Sequence, residues 1–192
     1  MLSSSFIKLM EVLPKPLVMK LAKMKVNGYM RKYAKINVKG LENIDKISGP
    51  KIFVCNHLSN SDALVLNEVL KRYDPTFVAG IKIINNPITS IGSMTVKKIA
   101  INPNIVDKDA IIKRVEILKN GNNLVIFPEG TRSRKGKMLE GKKGVLLVAK
   151  MSKATIIPIS MWGTEKLLPV NKDDNMSTEE WNFSDVNVVI NK

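Results

Sequence analysis

The run Leu124-Val125-Ile126-Phe127 is apolar without a break and is stopped by Pro128, and no other stretch constrains the fold of this chain as strongly. A strand with one wet face alternates apolar and polar residues, so a continuous run calls for cover on both faces. Proline closes the run because it cannot donate to a sheet ladder. Around this anchor, strands are predicted at 36–38, 51–55, 76–79, 96–101, 123–127, 155–161 and 186–190. Helices are predicted at 62–71, 107–119 and 142–151. Asp107 suits the opening of the middle helix, Lys119 its last turn and Gly121 the position just beyond. Strands alternating with helices specify an α/β fold of three layers, a mostly parallel or mixed central sheet with helices on both faces. The stretch 170–185 is polar and reads as loop. The chain stops just after its last expected strand, which would ordinarily need a covering element, so the domain reads as a short or an incomplete one.

The first forty residues have a different texture. They hold nine Lys or Arg residues (Lys8, Lys15, Lys20, Lys23, Lys25, Arg31, Lys32, Lys35, Lys39) against one acid, Glu11. Leu17, Val18, Leu21 and Met24 approximate helical spacing, and Pro14 with Pro16 divides the segment into an expected pair of amphipathic helices. Apolar residues outnumber what one core-facing stripe needs, which favours the headgroup region of an anionic membrane over a helix pair packed wholly on the domain. The expected organisation is therefore a basic membrane-associating segment, 1–35, ahead of an α/β domain, 36–192.

At 192 residues the chain can bury a substantial core. Its 31 Lys and Arg against 17 Asp and Glu give a net charge of +14, which calls for an anionic partner: nucleic acid, an anionic bilayer or an acidic protein. No nucleic-acid motif accompanies the charge and aromatic stacking residues are few, so no nucleic-acid partner is expected. One cysteine excludes an internal disulfide, and one histidine with one cysteine cannot make a zinc site without carboxylates, so no metal is expected. No secretory signal is recognisable and no stretch approaches eighteen uninterrupted apolar residues, so the expected location is the cytoplasmic face of the cell membrane, held peripherally.

Two segments carry the chemistry. Asn56-His57-Leu58-Ser59-Asn60-Ser61-Asp62 follows the strand at 51–55 and contains the chain's single histidine. That places His57 at the C-terminal end of a strand, where open α/β sheets put their ligands. An imidazole takes a proton from an alcohol at neutral pH, and a carboxylate on its other nitrogen fixes the tautomer and stabilises the imidazolium. Asp62 lies five residues on, a spacing that serves only if a turn folds the two together. There is no GxSxG elbow to support an acyl-serine route. Cys55 lies inside an apolar strand, where an inert buried thiol is the commoner outcome than a nucleophile.

The second segment, Phe127-Pro128-Glu129-Gly130-Thr131-Arg132-Ser133, leaves the anchoring strand directly. Gly130 permits a tight turn and close approach of a ligand, Thr131 and Ser133 offer hydroxyls, and Arg132 offers a planar fork suited to phosphate oxygens. Lys142 and Lys143 precede the next helix, whose N-terminus adds a favourable dipole. Arg134, Lys135 and Lys137 read as solvated surface charge.

Together NHxxxxD and FPEGTRS resemble the glycerolipid acyltransferases, in particular the 1-acylglycerol-3-phosphate O-acyltransferases. The resemblance runs from Val38 to about Gly163. It includes Val38-Lys39-Gly40-Leu41-Glu42-Asn43, Lys143-Gly144-Val145 and the late motif Ile157-Pro158-Ile159. It implies that His57 is the base and Asp62 its partner, and that Glu129, Gly130, Thr131 and Arg132 bind the acceptor phosphate. It further implies a lysophospholipid acceptor and an acyl thioester donor, coenzyme A or an acidic acyl carrier protein, with no other cofactor. The chain departs from the family at its second motif. The best local match, Lys98-Ile99-Ala100-Ile101-Asn102-Pro103, has proline where an arginine is expected. Lys97, Lys98 or Lys108 would have to supply the charge, or the acceptor is a different lysolipid. The rival reading is a non-catalytic basic protein that binds lipid or nucleic acid.

Overall fold

A computed structural model describes residues 13–80, 95–101, 108–134, 136–171 and 179–191. Seven strands form one sheet: β1 (Ala34–Lys39), β2 (Lys51–Cys55), β3 (Thr76–Gly80), β4 (Lys98–Ile101), β5 (Leu124–Ile126), β6 (Thr155–Trp162) and β7 (Ser184–Ile190). Their spatial order is β1-β7-β6-β2-β5-β3-β4. All neighbours are parallel except β6 and β7, so the expected mixed sheet has one antiparallel junction.

The helices are α1 (Lys15–Tyr33), α2 (Glu42–Asp45), α3 (Asp62–Val69), α4 (Lys108–Lys119), α5 (Gly144–Ser152) and α6 (Thr164–Leu167). Period-two alternation in the central strands feeds a separate core on each face. Phe53, Cys55, Phe77, Val125, Ile157, Ile159 and Met161 point to one face, where they meet Val65 and Leu66 of α3 and Val26 and Met30 of α1. Ile52, Leu124 and Ile126 point to the other, against Val115 and Leu118 of α4 and Val148 of α5. The three layers are thus complete over β2 and β5. Further out, β6 brings Ile156 to the second core and then alternates buried Ile157, Ile159 and Met161 with exposed Pro158, Ser160 and Trp162, so beyond Ile156 it is covered on one face only.

Several elements differ from their sequence-based bounds. Of the expected N-terminal helix pair, α1 is described and residues 1–12 lie outside the described residues. Pro14 and Pro16 open α1, Pro14 at its N-cap, because the first turn of a helix has no use for the missing N–H. The stripe that α1 buries is Val18, Ala22, Val26 and Met30, whereas Leu17, Met19 and Met24 are exposed. Helix α3 ends at Val69 and a short 3₁₀ turn, Lys71–Tyr73, follows, closed by Asp74 in the left-handed region at φ +40° just ahead of Pro75. The short helices α2 and α6 are additions to the expected set. Strand β7 lies inside the sheet between β1 and β6, with alternate residues buried. Asp107 and Pro103 lie outside the described residues.

Candidate active site

Strands β2 and β5 are adjacent and parallel, with Val54 opposite Ile126. The two motif loops therefore leave the same end of the sheet side by side. The Ser133 N–H donates to the His57 carbonyl (2.7 Å), and the His57 N–H donates to Glu129 Oε1 (2.7 Å). One backbone position of the first loop is thus gripped twice by the second.

The first loop folds His57 and Asp62 together as the spacing required. His57 Nδ1 lies 2.7 Å from Asp62 Oδ2, and their side chains are 16% and 0% exposed. Helix α3 begins at Asp62, but the carboxylate turns back from the helix into the loop, where Oδ2 also accepts the N–H groups of Leu58 (2.6 Å) and Ser59 (2.9 Å). Those two amides hold the carboxylate where it meets the imidazole. Engagement of Nδ1 leaves Nε2 as the nitrogen that can take a proton. The ring lies flat against Phe127, with centroids 4.2 Å apart. Asn56 locks the loop to β6, since its amide donates to the Met161 carbonyl (2.7 Å) and accepts the Met161 N–H (2.8 Å). The Ser59 hydroxyl donates to the Leu168 carbonyl (2.7 Å).

Cys55 is buried at the end of β2. Burial, with the negative charges of Asp62 and Glu129 nearby, pushes its thiol well above the ordinary range. A thiol so held stays protonated and is a poor nucleophile.

In the second loop Glu129 is buried and both of its carboxylate oxygens are used. Oε1 takes the His57 amide and Oε2 takes the Leu139 amide (2.8 Å). Its carboxylate therefore braces the loops. Gly130 has φ +70°, and a Cβ there would stand 3.1 Å from Lys142 Nζ, so the absence of a side chain both permits the turn and lets Lys142 lie across it. Thr131 is exposed at the tip of the turn. Arg132 is drawn inward, and its Nη1 meets Glu179 Oε1 at 3.3 Å. The other Glu179 oxygen accepts from Asn60 Nδ2 (2.6 Å).

The structure thus brings His57, Asp62, Glu129 and Arg132 into one bonded cluster, with Gly130 and Thr131 forming the turn beside it. Glu179 carries no local sequence signal, because it lies in a polar stretch that reads as loop and reaches the site only through the tertiary fold. Asn60 and Phe127 lie within the two motifs, and their residue types alone point to no part in the chemistry.

A family model described as Acyltransferase matches residues 35–162. The chain is 31% identical over 163 residues to the chloroplastic 1-acyl-sn-glycerol-3-phosphate acyltransferase LPAT1 of Arabidopsis thaliana, covering 83% of this chain and 44% of that protein. A 1-acyl-sn-glycerol-3-phosphate acyltransferase of Borreliella burgdorferi is 29% identical over 141 residues, covering 71% of this chain and 55% of that protein. The chain thus spans about half the length of these relatives. In fold it is similar to the crystal structure of the 1-acyl-sn-glycerophosphate (LPA) acyltransferase PlsC of Thermotoga maritima. The TM-score is 0.65 at 22% identity, over 98% of this chain and 76% of that one.

Proposed function

Because the chain belongs to the acyltransferase family, we propose that it moves a fatty acyl group from an acyl thioester to the free hydroxyl of 1-acylglycerol-3-phosphate, forming phosphatidic acid. The observation that carries this reading is the 2.7 Å His57–Asp62 pair on a loop bonded directly to the Arg132 turn. A base and an anion-binding guanidinium on neighbouring loops suit an acceptor that bears both a hydroxyl and a phosphate.

In the proposed mechanism His57 Nε2 takes the acceptor hydroxyl proton while Asp62 stabilises the imidazolium on the Nδ1 side. The alkoxide oxygen bonds to the thioester carbonyl carbon, giving a tetrahedral intermediate. The C–S bond then breaks, and the thiolate leaves with the proton that the imidazolium returns. Base assistance of this kind contributes roughly 10²–10⁴-fold, and positioning adds to it. The route uses no metal or further cofactor. Arg132 and the Gly130-Thr131 turn hold the acceptor phosphate, and Glu129 supports the turn and the His57 backbone.

The donor is acyl-coenzyme A or acyl carrier protein, and an acidic carrier complements the +14 charge. The basic segment 1–35 associates with an anionic membrane, placing domain 36–192 peripherally on its cytoplasmic face. Exposed Leu17, Met19 and Met24 alongside Lys15, Lys20 and Lys23 on α1 support that part of the reading. No helix among the described residues is long and apolar enough to cross a membrane.

The deciding experiment supplies the purified chain with a labelled acyl thioester, on coenzyme A and on carrier protein in turn, and a panel of lysolipid acceptors. Labelled phosphatidic acid from 1-acylglycerol-3-phosphate is the expected product. Transfer to another lysolipid alone, the outcome that Pro103 in place of the family arginine favours, would move the assignment to that acceptor. No transfer to any acceptor would leave a non-catalytic basic protein.

A further inference from the structure

We propose that Glu179 is a positioning residue for the acceptor clamp, fixing the Arg132 guanidinium against the loop that carries His57. The inference rests on the reading of Arg132 as the group that holds the acceptor phosphate.

Glu179 is remote in sequence from both motifs, yet its carboxylate is shared between them. One oxygen accepts from Asn60, which lies between His57 and Asp62, at 2.6 Å. The other faces Arg132 Nη1 at 3.3 Å. The Glu179 side chain is 2% exposed and that of Arg132 is 11% exposed. A carboxylate removed from water to that degree persists only where partners compensate it, and its partners here include Asn60 and Arg132, one from each of the two loops that β2 and β5 deliver.

The segment bearing Glu179 is itself pinned. Trp181 stacks on Tyr29 of α1 at 5.6 Å, the Asn182 N–H donates to the Leu167 carbonyl (2.9 Å), and β7 starts at Ser184. Glu179 is therefore a fixed reference that the Arg132 guanidinium meets. Phosphate recognition by arginine depends on the direction of its planar fork, so the loss of that reference falls on acceptor binding and not on proton transfer.

Steady-state kinetics of the full chain test this with Glu179→Gln, which retains the shape and removes the charge. The acceptor KM should rise about tenfold while the donor KM and the kcat at saturating acceptor stay within about twofold. Asn60→Ala, which releases the other end of the carboxylate, should give the same split in smaller measure. It is read by the same criteria if Glu179→Gln does not fold. In an Arg132→Ala background, Glu179→Gln should add nothing further, because it acts through the arginine.

An acceptor KM that is unchanged or lowered in Glu179→Gln overturns the inference, the lowered value marking the carboxylate as a competitor of the phosphate. A penalty that persists undiminished beside Arg132→Ala also overturns it and leaves Glu179 a purely structural residue. Acceptor kinetics untouched by Arg132→Ala alone remove the assignment of Arg132 and this inference with it. Wild-type inactivity on every acceptor removes the acyltransferase reading and, with it, both.

Discussion

At the scale of single residues, the candidate base is set by a fully buried carboxylate, with His57 Nδ1 2.7 Å from Asp62 Oδ2. His57 and Asp62 needed only a turn between a strand and a helix, and β2 and α3 supply it. The backward turn of the Asp62 carboxylate onto Leu58 and Ser59 was not legible, since aspartate at a helix start ordinarily faces the helix. His57→Ala should lower kcat by about 10²–10⁴-fold or more with little change in the unfolding midpoint, as seen by single-turnover assay and thermal melting. A variant that keeps the wild-type rate would remove His57 from the mechanism. Cys55 gives the complementary prediction. Its raised thiol pKa follows from burial and two neighbouring carboxylates, so the folded protein should resist iodoacetamide at about pH 8 and react on unfolding. Cys55→Ala should retain activity, and its loss with an intact fold would reopen covalent catalysis.

At the scale of elements, the strand pattern was read from apolar runs, and the order of strands was not. Nothing in residues 186–190 announces that β7 inserts between β1 and β6 and reverses direction against β6, because insertion is decided by how the whole sheet closes its core. The junction it creates is tight. Gly163, just after β6, has φ +95°, and a Cβ there would collide with the Asp185 carbonyl of β7. Gly163→Ala should therefore cost more than the ~1–2 kcal/mol of left-handed backbone strain alone, measured by urea unfolding. Stability equal to wild type would mean that the junction relaxes freely. Glu129 makes the corresponding point for the loops. Its residue type suggested a ligand group, and its two oxygens instead serve the amides of His57 and Leu139. A glutamine has one acceptor oxygen for two buried donors, so Glu129→Gln should destabilise by about 1–3 kcal/mol and lower kcat through the displaced His57 backbone. An effect on acceptor KM alone would instead put the carboxylate in contact with the substrate.

At the scale of the whole molecule, charge and exposed apolar surface act together in the proposed membrane association, and the two contributions separate by their response to salt. Near-surface Lys and Arg each contribute about 1 kcal/mol on anionic lipid, and this part fades as the screening length falls from about 10 Å at 0.1 M salt to about 3 Å at 1 M. Burial of Leu17, Met19 and Met24, all exposed on α1, scales with area and persists at high salt. Flotation with vesicles of anionic and neutral lipid should therefore show strong anionic binding at low salt and a weaker residue at high salt. The double variant Leu17→Ser/Met24→Ser should lose mainly that residue, whereas Lys20→Gln/Lys23→Gln should lose mainly the salt-sensitive part. Equal binding to neutral and anionic vesicles would defeat electrostatic anchoring. If the serine variant floats as well as wild type at high salt, α1 is not the contacting face, and the basic surface of the sheet domain would have to carry the association.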